Sequence, residues 1–294
     1  MAQDLSSAGA LAVIPPSALA RIPGWEAQRP SAIAALPGGT INTSFRVDTR
    51  AGSFVLRLNG EAGAVLGADH TREARLHAAA ARAGVAPELI YADIAERFMI
   101  MRFVDGAAWD ASDFARPERL RQLGATLRTL HAVAPPVVAP FDVAAILRGY
   151  SAKIIEAQPA ERVLLESLLE QADTALALCA RSGRAATVVH NDLCYSNLIE
   201  GERLYLIDWE YAAVADPIFD LACVLAYYPH AGPYAQELLD AAGLAADVSI
   251  GALVRARFLF VLLSFLWYRL RRLTRTVAAV ELAAERTLLR RLSG

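Results

Sequence analysis

The sequence predicts an α+β fold in two lobes: an N-terminal antiparallel five-stranded sheet with one helix, followed by a larger, mostly helical C-terminal lobe. Short β-prone runs separated by turns with Gly and Pro come first, and long helical patterns follow. Of the 294 residues, 55% are hydrophobic, which supplies a sizeable core. We therefore predict a lead-in or cap over residues 1–30, an N-terminal lobe over 31–104 and a C-terminal lobe over 105–294.

The N-terminal lobe follows a lead-in that has no sustained period and contains several prolines. Alternating β-prone residues then predict strands at 33–36, 44–48, 53–58, 89–93 and 98–103. Between the third and fourth strands, residues 73–82 are rich in Ala, Leu and Arg, which favours a helix. We predict that Thr71 caps this helix and that Gly84 ends it.

The C-terminal lobe is predicted to be helical because helical patterns run through most of it. The predicted helices span 118–132, 143–157, 161–181, 217–228, 252–275 and 277–292. Two short strand-like runs, 187–190 and 204–207, flank a loop of polar residues. This loop is the first candidate for a functional site.

The composition argues against several functional classes. The formal net charge is −2, so no global charge attracts nucleic acid or an anionic membrane surface. The three cysteines lack the spacing of a disulfide framework or a zinc site. No Lys or Arg precedes the short N-terminal apolar run, and the longest apolar stretch, 258–268, is shorter than the ~20 residues that span a bilayer. We expect a cytoplasmic monomer or homodimer without a nucleic-acid or membrane partner.

The polar loop has the residues that phosphoryl transfer requires. Asp192 and Asn197 lie on the loop, and Asp208 follows the next strand. Carboxylate and amide oxygens are ligands that Mg²⁺ accepts when it is bound to substrate phosphates. We predict that Asn197 and Asp208 bind Mg²⁺, and that Asp192, just after His190, accepts a proton from an attacking hydroxyl.

Residues 190–197 (His-Asn-Asp-Leu-Cys-Tyr-Ser-Asn) and 207–211 (Ile-Asp-Trp-Glu-Tyr) resemble the choline/ethanolamine kinase and aminoglycoside phosphotransferase superfamily. Other segments resemble it in the same order along the chain: 37–45, 54–58, 101–106 and 216–222. The resemblance implies a protein-kinase-like fold, ATP and Mg²⁺ as cofactors, and a small-molecule alcohol as the phosphoryl acceptor.

The same resemblance implies where the nucleotide binds. Residues 37–45 resemble the phosphate loop of that family and contain a Gly-Gly turn, where backbone N–H groups can approach phosphate oxygens. The predicted phosphate contacts in this loop are Gly38, Gly39, Thr40, Asn42 and Ser44. Arg57 would hold the α- and β-phosphates while Glu73 fixes its guanidinium group. Residues 101–106 resemble the hinge segment of that family, and this hinge would place Met101 and Phe103 beside the nucleotide. The alternative for Glu73 is an exposed helix carboxylate, and the alternative for Met101 is core packing.

The residues that follow Asp208, the predicted magnesium ligand, indicate the chemical class of the acceptor. Glu210 and Tyr211, with Trp267 and Tyr268, would form an acidic, aromatic-lined pocket that suits a cationic alcohol. A quaternary ammonium over an aromatic face gains ~0.5–2 kcal/mol. Choline or ethanolamine is the predicted acceptor, although Trp267 and Tyr268 have core packing as an alternative. Thiamine, homoserine and aminoglycosides stay open as acceptors, and a non-catalytic pseudokinase or interaction module stays open as a different class.

Other polar residues are interpreted as structural. We expect His190 to bond the backbone that presents Asp192, and Asp220 to hold the loop by hydrogen bonds. His131 is interpreted as a packed helix end. A basic run is interpreted as a solvated helix face rather than an RNA-binding surface: Arg269, Arg271, Arg272 and Arg275.

Overall fold

The chain forms two compact units in a computed structural model. The structure describes residues 14–26, 32–37, 42–60, 69–139, 141–180, 183–274 and 277–292. The first unit comprises Met1–Ala108 and Leu198–Tyr211, and the second comprises Trp109–Asn197 and Ala212–Gly294. Residues 198–211, which the sequence analysis assigns to the C-terminal lobe, thus group with the sheet. The predicted limits after residues 30 and 104 stay predictions.

The first unit is built on an antiparallel sheet because apolar residues alternate along its strands. Phe45 and Val47 on one strand, and Phe54 and Leu56 on the next, are buried, a period of two that turns one face toward the core. Within the described residues this sheet has five strands, in the order β1-β2-β3-β5-β4. They are β1 Ile33–Ala35, β2 Thr43–Thr49, β3 Gly52–Leu58, β4 Leu89–Asp93 and β5 Phe98–Arg102. The predicted five-stranded sheet is confirmed.

A short helix packs on this sheet in a region that the sequence analysis describes as irregular. Helix α1, Pro16–Ala20, has proline at its first position, where the missing N–H costs no helical hydrogen bond. Leu19 and Ile22 are buried in the same hydrophobic cluster as Phe45 of the sheet. This part of the lead-in therefore belongs to the core of the first unit. Residues 1–13 and 27–30 lie outside the described residues.

Helix α2, His70–Arg82, begins earlier than predicted because Asp69 is its N-cap. The Asp69 carboxylate accepts hydrogen bonds from the backbone N–H groups of Thr71 and Arg72, both at 3.0 Å. The prediction that Thr71 caps the helix is therefore wrong, since Thr71 lies in its first turn. A carboxylate in this position also interacts favourably with the positive end of the helix dipole.

Replacing Asp69 by alanine is expected to lower the free energy of unfolding by about 1 kcal/mol, because two backbone N–H groups lose their acceptor. Urea unfolding followed by circular dichroism measures this loss. Asp69→Ser keeps an accepting oxygen and serves as the control, with a stability close to that of the parent protein. Equal losses in the two variants would contradict capping as the cause.

Three short strands explain why residues 198–211 belong to the first unit. Strand β8, Leu198–Glu200, pairs with β6, Ala107–Ala108, and with β9, Leu204–Leu206. A side chain at Gly106 would place its Cβ 2.4 Å from the Glu200 carbonyl oxygen, so the close approach requires glycine. Neither β6 nor β8 was predicted from the sequence.

The second unit is mostly helical, as predicted. Strands β7, Thr187–Val189, and β10, Ala213–Ala215, pair antiparallel beside the polar loop. Short 3₁₀ helices lie at Ala111–Ala115, Pro159–Glu161, Tyr195–Asn197 and Pro229–Tyr234. The α-helices are α3 Pro117–His131, α4 Val143–Ala157, α5 Arg162–Ala180, α6 Ile218–Tyr227, α7 Ala235–Ala241, α8 Ile250–Thr274 and α9 Ala279–Leu292. Strand β10 and helix α7, which are both short, were not predicted from the sequence.

Helix α8 is the one helix, among the residues that the structure describes, that is long and apolar enough to cross a membrane. Half of its most apolar window is buried inside the protein. It packs against α4, α5, α6 and α9, so it is the central helix of this unit. Such a helix is apolar on most sides because other helices surround it.

The arginines near the end of α8 form buried ion pairs. Arg269 pairs with Glu161 and Glu285, and the Nε atom of Arg271 lies 2.8 Å from Glu281. Arg271 is only 2% exposed. The interpretation of this run as a solvated helix face is therefore wrong for Arg269 and Arg271. Their acidic partners come from other elements, which a pattern within α8 does not reveal.

Candidate active site

Helix α6 holds the backbone of the predicted catalytic loop. The Asp220 carboxylate, buried in the first turn of α6, accepts hydrogen bonds at 2.9 Å from the backbone N–H groups of both His190 and Asn191. The Cys223 Sγ atom accepts a hydrogen bond from the Leu193 N–H at 3.2 Å. Asn191 has a φ of 62°, a conformation that Asn adopts more readily than most residues. The interpretation of Asp220 as a scaffold residue agrees with these contacts.

Two histidines support the same loop. The Nδ1 atom of His190 accepts a hydrogen bond from the Asp192 N–H at 3.3 Å, so this side chain does bond the backbone that presents Asp192. The Nε2 atom of His131, at the end of α3, lies 2.9 Å from the Asp220 carboxylate. His131 is therefore packed, as interpreted, and it also contacts the residue that anchors the loop.

Both carboxylate oxygens of Asp192 accept hydrogen bonds within the second unit. The Oδ1 atom accepts from the Tyr227 hydroxyl and the Oδ2 atom from the Asn197 side-chain amide, each at 2.9 Å. Burial and then the negative charge of Asp192 raise the pKa of Tyr227 well above its ordinary value, so its hydroxyl remains a donor. The contact of Tyr227 with Asp192 was not predicted from the sequence.

The orientation of Asn197 fits a metal ligand. The side-chain amide nitrogen of Asn197 donates to Asp192, so the amide oxygen of Asn197 points away from Asp192. A neutral oxygen of this kind is a ligand that Mg²⁺ accepts. Within the described residues, no three His, Cys, Asp or Glu side chains group closely enough to hold a metal ion by themselves. The assignment of Asn197 and Asp208 as magnesium ligands stays a prediction.

In the first unit, Arg57 is the centre of a buried polar cluster. Its guanidinium group forms an ion pair with Glu73 at 2.5 Å and lies 3.2 Å from the Asp208 carboxylate. Its Nε atom donates a hydrogen bond to the Asn59 side chain at 2.9 Å. Glu73 is 0% exposed, so the exposed-carboxylate alternative is wrong and the pairing with Arg57 is confirmed. The contact of Arg57 with phosphate stays a prediction.

The charges of this cluster shift the pKa of its carboxyl groups in opposite directions. Burial by itself would raise the pKa of Glu73, but the nearby Arg57 and His70 outweigh it and lower that pKa. Burial, followed by the negative charge of Asp208, raises the pKa of Glu210 to about 7. Opposite charge favours the ionised form of a carboxyl group, so a cation bound at Asp208 would also favour ionised Glu210.

Asp208 follows β9 in an unusual backbone conformation. Its φ is 62°, a value that costs a non-glycine residue ~1–3 kcal/mol and that is typical of functional sites. The next residue, Trp209, is fully buried, and its indole N–H donates to the Leu206 carbonyl at 3.0 Å. The Trp209 ring also stacks on His77, with centroids 6.1 Å apart. Trp209 is therefore a core residue of the first unit.

The residues of the predicted phosphate loop are only partly described. Three of them lie outside the described residues: Gly38, Gly39 and Thr40. The Asn42 side chain donates to Glu210 and accepts from the Gly60 N–H, both at 3.1 Å. Ser44 lies on β2 opposite Arg57 of β3. Asn42 and Ser44 thus lie beside the polar cluster around Arg57.

The predicted hinge continues β5. Met101 is buried at 8% exposure and lies opposite Val55 of β3, so the core-packing alternative describes its contacts. The Phe103 N–H donates to the Ser53 carbonyl at 3.0 Å, and the Arg46 guanidinium lies 4.2 Å from the centre of the Phe103 ring. Contacts of Met101 and Phe103 with a nucleotide stay predictions.

The predicted acceptor residues divide between the two units. Trp267 and Tyr268 are half-buried on α8, with ring centroids 4.9 Å apart in an edge-to-face arrangement. Burial, followed by the negative charge of Asp192, raises the pKa of Tyr268, so this ring lies in the electrostatic neighbourhood of the predicted base. Glu210 and Tyr211 belong to the first unit, where Glu210 is buried and Tyr211 is half-buried.

The fold and these two clusters define a class of protein. A sheet unit with a buried Arg–Glu pair and a helical unit that presents an Asp–Asn loop are parts of a kinase-like phosphotransferase. The chain belongs to the phosphotransferase enzyme family APH, whose model matches residues 32–259. The predicted superfamily and the predicted enzyme class, a small-molecule kinase, are confirmed.

Solved structures share the fold over nearly the whole chain. A choline/ethanolamine kinase family protein from Mesorhizobium loti has a TM-score of 0.76 and 24% identity, over 94% of this chain and 92% of that one. The choline kinase LicA from Streptococcus pneumoniae has a TM-score of 0.75 and 20% identity, over 90% of this chain and 94% of that one. These similarities confirm the predicted kinase-like two-lobe fold.

A short sequence match points to a curated relative. Protein LicA of Haemophilus influenzae is 49% identical over 37 residues, which are 12% of this chain and 14% of that protein. Because the match spans so small a part of LicA, the activity of that protein enters only as support for a proposal.

Proposed function

We propose that this protein is an ATP- and Mg²⁺-dependent kinase that phosphorylates the hydroxyl of a small cationic alcohol, with choline or ethanolamine as acceptor. The observation that carries the proposal is the Asp192 carboxylate, which Tyr227 and Asn197 hold at its two oxygens in a loop anchored by Asp220. A carboxylate fixed in this way is suited to accept the proton of an attacking hydroxyl. Membership of the phosphotransferase family supports the reaction class.

The residues of the first unit would handle the nucleotide. Arg57 would bind phosphate oxygens, because Glu73 fixes its guanidinium group and a guanidinium fork matches phosphate geometry. Mg²⁺, when bound by Asp208 and Asn197, would neutralise charge on the phosphates. Asp192 would hold the acceptor hydroxyl and take its proton as the hydroxyl oxygen attacks the γ-phosphorus, while the bond from that phosphorus to the β,γ-bridging oxygen breaks and ADP leaves.

Two observations support a cationic acceptor. The half-buried rings of Trp267 and Tyr268 lie on α8, and burial, followed by the negative charge of Asp192, raises the pKa of Tyr268. An aromatic wall beside a carboxylate attracts a small cation. The names of the two similar structures, a choline/ethanolamine kinase family protein and a choline kinase, support the same acceptor class. Contacts of Glu210 and Tyr211 with the acceptor remain part of the proposal.

The expected result in a coupled ADP-release assay with ATP and Mg²⁺ is that choline or ethanolamine raises turnover well above the rate without acceptor. Thiamine, homoserine and kanamycin complete the panel, because each represents an acceptor that the sequence left open. A preference for one of these three would correct the acceptor and keep the kinase. Absence of both turnover and ATP binding would favour the non-catalytic interaction module.

We further propose a cytoplasmic protein that works as a monomer or homodimer, without a nucleic-acid or membrane partner. The formal net charge of −2 supports the absence of nucleic-acid binding. The burial of half of the apolar window of α8 supports its interpretation as a core helix. Sedimentation of the purified full chain would measure its oligomeric state.

A further inference from the structure

One face of helix α6 contacts the catalytic loop at successive positions. Asp220, Cys223 and Tyr227 are three and four residues apart, so they form one stripe along the helix. Asp220 and Cys223 accept hydrogen bonds from backbone N–H groups of the loop. Tyr227 differs from them, because its hydroxyl donates to the side chain of Asp192. It therefore contacts the reacting group that the first two residues only help to present.

The neighbouring tyrosine has the other role. The Tyr228 hydroxyl accepts a hydrogen bond from the Tyr195 N–H at 2.7 Å, so it holds loop backbone. Its ring stacks on Phe114 with centroids 3.6 Å apart. Two adjacent tyrosines thus contact the same loop, one through a carboxylate and one through the main chain.

The ring of Tyr227 is held in place by packing. It meets Phe260 of α8 edge to face, with centroids 5.6 Å apart, and it meets Tyr228 in the same way at 6.2 Å. Because the ring is rigid, the position of its hydroxyl is set by α6 and α8. The hydrogen bond to the Oδ1 atom of Asp192 therefore fixes the rotation of that carboxylate relative to the helices.

We propose that Tyr227 is a positioning residue for phosphoryl transfer, because it orients the Asp192 carboxylate toward the acceptor hydroxyl. The hydrogen bonds from Tyr227 and Asn197 reach different oxygens of the carboxylate, so together they fix its rotation. Tyr227 takes no proton itself. This inference rests on the proposed kinase function and extends it to a residue outside the catalytic loop.

The test is Tyr227→Phe in the full-length protein, which removes one oxygen and keeps the ring. We expect kcat to fall about tenfold, since small misplacements of a catalytic group reduce rates steeply. The KM for ATP is expected to stay within about twofold of the parent value, because Tyr227 lies in the second unit and the proposed phosphate ligand Arg57 lies in the first. The assay uses the acceptor that gives the highest turnover in the panel above. If no acceptor raises turnover, the assay measures ATP hydrolysis, in which water is the acceptor.

Matched variants separate the explanations. Tyr205→Phe makes the same chemical change at a hydroxyl that bonds the exposed Glu202, and it should keep the parent kinetics. Tyr228→Phe loosens loop backbone, and we expect it to lower the thermal unfolding midpoint more than Tyr227→Phe does. Circular dichroism at the assay temperature verifies that each variant is folded.

The outcomes distinguish this inference from the proposed function. If Asp192→Asn abolishes turnover and Tyr227→Phe behaves like the parent protein, the positioning role is overturned and the kinase stands. If Tyr227→Phe changes kcat and the KM for ATP by the same factor, the residue is merely structural and the inference fails. If Asp192→Asn leaves turnover unchanged, Asp192 is not the base and the proposed mechanism fails; if the parent protein shows neither turnover nor ATP binding, the proposed function itself fails.

Discussion

Replacing Asp192 by asparagine is expected to lower kcat by about 10²- to 10⁴-fold, because a positioned general base contributes a factor of that size. The amide has almost the shape of the carboxylate, so packing around the loop is preserved. It lacks the negative charge that accepts a proton, and its NH₂ group faces one of the two donors, the Tyr227 hydroxyl or the Asn197 amide. The measurement is ADP release at saturating ATP, Mg²⁺ and acceptor.

Binding of ATP should change little in this variant, since the proposed phosphate ligand, Arg57, belongs to the first unit and Asp192 to the second. Isothermal titration calorimetry with ATP measures that separation. Asp173→Asn is the matched control: Asp173 is half-exposed on α5 and pairs with Arg148, so its kinetics should equal those of the parent. A kcat for Asp192→Asn within about threefold of the parent would remove Asp192 from the mechanism.

Replacing Arg57 by alanine is expected to lower the free energy of unfolding by about 3–5 kcal/mol, because the buried Glu73 loses its guanidinium partner and keeps its contact with His70. The same change should raise the KM for ATP, because the proposed phosphate ligand is lost. Urea unfolding and steady-state kinetics measure the two effects. The double variant Arg57→Met with Glu73→Leu should recover much of the stability, since apolar replacement of a buried pair is often neutral.

The double variant separates structure from function. The double variant removes the charges of the Arg57–Glu73 pair but supplies no guanidinium group. Its KM for ATP should therefore stay high although the protein is folded. If the double variant restored ATP binding along with stability, Arg57 would be a structural residue and its role with phosphate would be rejected.

The stability lost in Arg57→Ala should depend on pH. In the parent protein the folded-state pKa of Glu73 is lowered, so its contribution is present above its unfolded pKa of ~4.3 and is lost as the pH falls through the folded value. Without Arg57, His70 remains to oppose the effect of burial, so the pKa of Glu73 would be higher than in the parent protein, and the variant would gain less stability as the pH rises. The difference between the two proteins should therefore be larger at pH 7 than at pH 4.5.

The sequence by itself determined the fold class and the enzyme class, a small-molecule kinase. Alternation along 44–48 and 53–58 corresponds to β2 and β3, and helical patterns at 143–157 match α4 at both ends. Local patterns succeed here because strand and helix periods are properties of neighbouring residues. The pairing of Arg57 with Glu73 was implied by the resemblance and by the position of Glu73 on the next helix along the chain, and it is confirmed.

Contacts between distant segments were decided only by the tertiary structure. The hydrogen bond from Tyr227 to Asp192 joins residues that are 35 positions apart along the chain. The signal for this contact in the sequence was the spacing of Asp220, Cys223 and Tyr227, which places them on one face of α6. The buried pairs of Arg269 and Arg271 likewise depend on acidic partners from other elements. A charged residue has the same local pattern whether it is solvated or paired, so only the packing of α8 against its neighbours reveals which state it takes.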